Sequence, residues 1–360
     1  MRKQLALFVF SLIILSCSEG EEVNPDKLYF PPTGITEWET ISPSALGWDT
    51  SHIPELLTLL EINGTRAFIL LKDGKIVLES YFGQNIAGTA PFGQSSNWYW
   101  ASAGKTLTAF LAGKAVEEGF LSLNDRTSDY LGTGWTSLAQ EQENRITMWH
   151  QLTMTSGLDD GVADNHDFTP ANMLYKAPAG TRWAYHNAPY TLLDAVIANA
   201  TRESFETYFN VKLRDKTGMD GSWIWLENDH VYFSTARSMA RFGLLILNKG
   251  KWDQEAIMEN ETFFNNMVNT SQNLNKSYGY LWWLNGKESY MVPGFQLVIQ
   301  GSVTPKAPPD MISGMGKNGQ YVSIVPSQNI VLVRMGENPD QALVPFLFLD
   351  DIWEKLNLII

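Results

Sequence analysis

Apolar positions along the chain follow two different periods, and where the period changes the predicted element changes. Arg66 to Leu71 and Lys75 to Phe82 are β-rich runs, and Asp73-Gly74 between them is a hairpin turn pair. Upstream, Ile53 to Leu60 has the spacing of a short helix. From Lys105 to Glu118 the residues Leu107, Phe110, Leu111 and Ala115 fall at helical spacing, and Gly119 is a natural stop. The middle of the chain reads as helix and loop, with helices at Thr147 to Met154, Ala188 to Ala200, Phe205 to Asp215 and Thr235 to Asn248. β-patterns return in Gln296 to Gln300, Gln320 to Val325 and Ile330 to Met335, and Leu343 to Leu356 closes the chain as a helix. No internal repeat is evident. Strands at both ends with helices between predict an α+β (α/β) fold: an antiparallel sheet built from both chain ends, flanked by helices, with a mainly helical insert over about 105–275.

The first residues read differently. Arg2 and Lys3 precede the apolar run Leu5 to Leu15, which is too short to span a bilayer comfortably, so residues 1–16 read as a signal peptide. The run ends in Ile14-Leu15-Ser16-Cys17, which resembles a bacterial lipobox, and Cys17 is the only cysteine in the chain. Ordinary cleavage near a signal-region cysteine is the alternative. An acidic stretch follows, so residues 17–50 are expected to be a tether and lead-in and residues 51–360 the globular domain. The expected location is outside the cell interior, lipid-anchored through Cys17 to a bacterial membrane at its periplasmic face or the cell surface. A composition of 44% hydrophobic and 18% charged residues is ordinary for a globular protein. A net charge of -13 with no basic block would repel a phosphate backbone, which argues against nucleic-acid binding.

Candidate chemistry begins in Trp98 to Leu107, WYWASAGKTL. Gly104-Lys105-Thr106 has the ending of a phosphate-binding loop, but that loop needs glycine five residues before Gly104, where Tyr99 stands. Ser102-Ala103-Gly104-Lys105 is also S-x-x-K. This spacing puts a serine hydroxyl at a helix entrance and a lysine amine on the same face one turn on. At its reference pKa a lysine is neutral about once in 2,500 molecules at pH 7, and lowering that pKa to about 7 costs roughly 4 to 5 kcal/mol. Burial among aromatics such as Trp98 and Trp100 is one way to supply the shift. On composition alone S-x-x-K is expected to occur about once by chance, so partners decide its meaning.

Those partners are present. Tyr185-His186-Asn187 stands just before an apolar helix, and together with S-x-x-K it resembles the serine β-lactamase and penicillin-recognising superfamily, in its class C-like and esterase-like branch. His150 to Leu158 and Ser234 to Gly243 are similar to further segments of that superfamily. Tyr278 to Trp283 and Gly316 to Tyr321 are similar to the branch that includes 6-aminohexanoate-dimer hydrolases. The similarity runs from about Leu60 to Gly336. It implies a β-lactamase/transpeptidase-like fold with Ser102 as nucleophile, Lys105 as base, Tyr185 as proton relay and Asn187 as a substrate-positioning group. It also implies an oxyanion hole from the backbone N–H groups of Ser102 and Met315, with Gly314 and Gly316 letting substrate approach the strand.

One part of the pattern is missing. Members acting on β-lactams usually carry a K-T-G or H-x-G strand beside the nucleophile. Lys317-Asn318-Gly319 matches K-x-G literally, yet Asn-Gly favours a hairpin turn, so the strand facing Ser102 is expected to be Asp310 to Gly316, which holds no Lys or His. That argues against antibiotic hydrolysis. Trp98, Trp100, Trp282 and Trp283 are candidates to line an apolar acyl pocket, and Trp183 either joins them or sits in the core. Asp159, Asp160, Asp164, His166 and Asp167 form a polar cluster that either lines the cleft, binds a cation or is a solvated loop. No cofactor or metal is implied. The expected function is a serine hydrolase cleaving an ester or amide of a small molecule. The alternatives are a D-Ala-D-Ala carboxypeptidase or β-lactamase, and a noncatalytic binding lipoprotein of the same fold.

Overall fold

The computed structural model describes residues 28–34 and 36–360. The leader and Cys17 lie outside the described residues. The body begins with helix α1 (Ile53–Ile62), then the hairpin β1 (Thr65–Lys72) and β2 (Lys75–Tyr81). Asp73 and Gly74 both take positive φ, 52° and 84°, as a tight turn between twisted strands requires. Gly74 is needed for a second reason: a Cβ there would lie 2.0 Å from the carbonyl oxygen of Tyr29, where the lead-in chain crosses the turn.

After the short strand β3 (Trp98–Tyr99) the chain makes a 3-10 turn, Ala101–Gly104, and enters helix α2 (Lys105–Glu117). Helix α3 (Asn187–Thr201) packs beside it, and strands β4 (Ser222–Leu226) and β5 (Asp229–Ser234) precede helix α4 (Ala236–Leu247). Strands β6 (Trp283–Leu284), β7 (Ile312–Gly316), β8 (Gln320–Val325) and β9 (Ile330–Gly336) then lead to the closing helix α5 (Phe346–Leu356). The main sheet runs β2-β1-β9-β8-β7-β6 and its pairs are antiparallel, so strands from both chain ends meet at β1 and β9. The α+β reading is right. The mainly helical insert also carries strands β4 and β5, which with β3 just before it make a second sheet that the sequence reading did not include.

Helix α2 is enclosed on nearly every side, with ten of its thirteen residues buried, and so lacks the one-sided stripe of a surface helix. Helix α4 lies against β1, β8 and β9 and closes the core behind it. Burying α2 takes its first residue, Lys105, into the interior. Two boundaries differ from expectation. Gln296 to Gln300 is a strand only at Ile299–Gln300, because Phe295 and Leu297 sit at an exposed tip where no core holds them. Phe205 to Asp215 is interrupted by a π-turn at Asn210–Arg214.

Candidate active site

Ser102 lies in the turn that caps α2, and the residue before it is strained. Ala101 takes φ 47°, in the left-handed region that costs a residue with a Cβ about 1–2 kcal/mol. Gly314 and Gly316 of β7 come against this turn. A Cβ on Gly316 would lie 2.7 Å from the carbonyl oxygen of Trp100 and 3.0 Å from the Ser102 nitrogen. Only a glycine admits that approach.

The strand's pairing fixes which amides are free. The Asn285 N–H donates to the Met311 carbonyl at 2.9 Å across the edge toward β6. Main-chain groups alternate between the two edges of a strand, so Ser313 and Met315 face that same edge, while Gly314 and Gly316 pair with Val322 and Gln320 of β8. Pairing with β6 stops at Ser313, opposite Trp283. The Met315 N–H is therefore left on an open edge next to the Ser102 turn.

Ser102, Lys105, Tyr185 and Asn187 line one cavity of about 210 Å³, together with Tyr190, His166, Asp229, His230 and Lys317. The Lys105 ammonium sits 3.7 Å from the centre of the Tyr190 ring and 5.5 Å from that of Tyr185. Burial lowers its pKa from 10.5 to about 7, against the opposing pull of Asp229 and Asp194. The aromatics that surround it are Tyr185, just before α3, and Tyr190 in its first turn, not Trp98 and Trp100. Tyr185 stands beside the Ser102 hydroxyl, and its own hydroxyl is pushed up by burial, a shift that the hydrogen bond with Ser102 opposes. Its ring is stacked on Trp283 at 6.0 Å and 17°.

Asn187 donates through Nδ2 to Asn165 Oδ1 at 3.2 Å and lies 3.1 Å from His166 Nε2. His166 Nδ1 is 2.6 Å from Asp229 Oδ1. Burial raises the Asp229 pKa, but the His166 hydrogen bond, with His166, Lys105 and Lys317 nearby, holds it below the usual value. His166 is thus the member of the polar cluster that reaches the cavity. Asp159 and Asp160 instead pair with Lys176 and Arg182.

Three tryptophans read as substrate-lining are core residues. Trp100 is fully buried, with its indole N–H on Ser234 Oγ at 2.7 Å, and Trp282 stacks on Phe242. Trp283 is buried and supports Tyr185 from behind. Trp98 points its N–H at the Gly336 carbonyl and Trp183 is also buried. His186, between Tyr185 and Asn187, is buried and does not line the cavity, and burial lowers its pKa to about 4.

Lys317 to Gly319 is a turn between β7 and β8, and Asn318 there takes φ 64°. The consequence drawn from that turn needs correction. The strand itself holds no cation, but the turn lies at the cavity end of the sheet, and Lys317 lines the same space as Ser102. Tyr190, Asp229 and His230 escape a reading of the sequence. Tyr190 has a detectable signal, since it stands one turn after Asn187 on α3. The other two have none, because β5 reaches the cavity only through the second sheet.

The Beta-lactamase family model matches residues 63–340. The chain belongs to the beta-lactamase family. A stretch of 166 residues is 27% identical to a Beta-lactamase of Escherichia coli K12, covering 44% of this chain and 43% of that protein. The chain thus spans less than half the length of this relative. Among solved structures, a candidate 6-aminohexanoate-dimer hydrolase from Bacillus anthracis aligns over 92% of this chain and 88% of its own, with a TM-score of 0.63 and 18% identity. A penicillin binding protein from Bacillus halodurans aligns over 84% of this chain and 99% of its own, with a TM-score of 0.60 and 20% identity. At these identities the structural matches establish the shared fold. This beta-lactamase family chain therefore has a serine hydrolase fold, with its S-x-x-K serine and lysine in one cavity.

Proposed function

We propose that this beta-lactamase family member hydrolyses an ester or amide bond of a small molecule through an acyl-enzyme on Ser102. The neutral form of Lys105, about half of it at pH 7, takes the proton of the Ser102 hydroxyl as it attacks the carbonyl carbon. The carbonyl π electrons move onto oxygen, which is met by the N–H groups of Ser102 and Met315. Tyr185 passes the proton to the departing alcohol or amine. In the second half the same groups withdraw a proton from water, which attacks the acyl carbon and releases the acid and Ser102. Asn187, held by His166, positions the substrate.

One observation carries this reading: an S-x-x-K lysine buried against two tyrosine rings, with its pKa lowered to about 7, in the cavity that holds the serine. A solvated structural lysine would keep its usual value. The test is covalent labelling of the full chain by a fluorophosphonate. Labelling of the wild type that disappears in Ser102→Ala supports the proposal, and a well-folded wild type that is never labelled refutes it.

Lys317 favours a second reading, a D-Ala-D-Ala carboxypeptidase or β-lactamase, because its ammonium is available to a substrate carboxylate in the same cavity. Nitrocefin turnover or stoichiometric fluorescent-penicillin binding, abolished in Lys317→Ala, would select that reading. A carboxylate-free p-nitrophenyl ester turned over equally well by Lys317→Ala would favour the first. We also propose that the mature chain is held to a bacterial membrane by lipid on Cys17. Metabolic labelling with a palmitate analogue, lost in Cys17→Ala, tests this.

A further inference from the structure

Lys105 meets aromatic rings where a buried ammonium usually meets a carboxylate. Of the two acids that pull on Lys105 the buried one is Asp194, on α3 one turn after Tyr190 and only 6% exposed. Asp194 Oδ2 is 2.7 Å from His230 Nδ1, while its other oxygen, Oδ1, is buried with no hydrogen-bond partner among the described residues. His230, on β5, is 7% exposed and lines the cavity that holds Ser102 and Lys105. Its imidazole lies under Trp225, 4.4 Å away and within 5° of parallel, so water is kept from the pair.

We propose that Asp194, one turn after Tyr190 on α3, and His230 are a positioning pair for the base: they supply the buried negative charge that Lys105 lacks as a direct partner. The inference rests on the reading of Lys105 as the base. A carboxylate this deeply buried stays ionised only with a donor, and His230 Nδ1 is that donor. Burial raises the Asp194 pKa to about 6, which the His230 hydrogen bond opposes. The other titratable groups facing Lys105 are Tyr185 and Tyr190 from the α3 side, Asp229 on β5, His166 and Lys317, with Glu206 3.3 Å from His230 Nε2 at the outer end. Of the two acids that pull on Lys105, Asp229 is engaged by His166 and faces Lys317. Asp229 exerts the larger pull on Lys105; Asp194 exerts the smaller one, but it is the buried acid of the two and keeps its Oδ1 outside the His230 hydrogen bond.

Removing a negative charge beside an ammonium disfavours the charged form. In Asp194→Asn the Lys105 pKa should therefore fall, by about half to one unit, which makes the neutral fraction at pH 6 roughly two-and-a-half to five times larger. His230→Phe should act in the same direction, because the unpartnered Asp194 then takes a proton. His230→Asn, which keeps a donor near the Nδ1 position, should restore the wild-type value. The experiment is an NMR titration of the full chain with ¹³Cε-labelled lysine, the Lys105 signal being assigned by its loss in Lys105→Arg. The pH dependence of fluorophosphonate labelling is measured in parallel. A Lys105 pKa unchanged or raised in Asp194→Asn of native near-UV circular dichroism overturns the proposal. If His230→Phe does not fold, the near-isosteric Asp194→Asn decides alone. The titration needs no reaction at Ser102, so a wild type that resists labelling would refute the acyl-enzyme reading while the titration still judges the pair.

Discussion

The Lys105 ammonium lies 3.7 Å from the centre of the Tyr190 ring, so the rim of the site is bound to its base through a ring face. Such a contact is worth about 2 kcal/mol when desolvated. Tyr190 is itself fixed by a hydroxyl contact to Thr108 Oγ1 at 3.3 Å. Tyr190→Phe keeps the face and loses one hydrogen bond, so stability should fall by about 1 kcal/mol with the pH profile unchanged. Tyr190→Leu loses the face and leaves a gap; stability should fall by about 3 kcal/mol, and Lys105 should titrate at lower pH. Thermal melts and the pH profile of ester hydrolysis check both.

The depressed Lys105 pKa sets two pH dependences with different windows. Activity needs the neutral amine, so kcat/KM should drop about tenfold per pH unit below about 7, and Lys105→Arg should lose about 10²-fold or more. Stability follows the other sign rule. The folded lysine titrates at about 7 and the unfolded one near 10.5, so between these values the unfolded state binds more protons and stability rises with pH. Below pH 7 the desolvation penalty is present in full, on the order of 4 kcal/mol before relaxation. Lys105→Met should therefore be more stable than wild type at pH 6, with the gap closing toward pH 10. Urea denaturation at a series of pH values measures it. A gap independent of pH would show that Lys105 is not desolvated.

Gly316→Ala tests the contact between strand and nucleophile. Its Cβ would stand 2.7 Å from the Trp100 carbonyl and 2.9 Å from the Ala103 nitrogen, both main-chain atoms that a rotamer change cannot move. The turn bearing Ser102 must shift away from the open Met315 N–H. Loss of one oxyanion donor typically costs about 2.7–4 kcal/mol of transition-state stabilisation, so kcat should fall by about 10²-fold or more. KM should change far less, because the rest of the cavity wall is intact. Steady-state kinetics on an ester separate the two.

The legible part of the site is the part carried by short-range geometry. Ser102 and Lys105 share a face because three residues make one turn, and Tyr185 and Asn187 are grouped by the entry to α3. The turn at Lys317 to Gly319 is likewise readable from Asn-Gly, but its place at the cavity end of β7 follows from sheet register, which no local pattern specifies. Trp100 neighbours Ser102 in sequence, yet the backbone turns at Ala101 and its indole leaves for Ser234. The second sheet was hidden because β3 is two residues long and pairs with a strand more than 130 residues away. His230 and Asp229 reach the cavity only through that pairing.

Arg334 gives the prediction furthest from the chemistry. Its guanidinium, on β9, is fully buried, and among the described residues no carboxylate is hydrogen-bonded to it; it donates instead to Thr65 Oγ1 at 3.1 Å and to the carbonyls of Gly319 at 2.9 Å, Asn63 at 2.8 Å and Glu337 at 2.9 Å. It also donates to the Asn318 carbonyl, so it ties the Lys317 turn to the start of β1 and the end of β9. Burial lowers its pKa to about 10, which leaves it charged at neutral pH. Arg334→Met fills much of the space but strands several buried carbonyls, each costing about 1–3 kcal/mol unless water reaches it. The expected result is a loss of at least about 3 kcal/mol in urea denaturation. Freed from the guanidinium, the turn should also release Lys317. Hydrogen exchange should then rise at residues 317–320 and at 63–65 together, while α3 keeps its protection. Exchange that rises uniformly would show that Arg334 supports the whole core instead of clamping this end of the sheet.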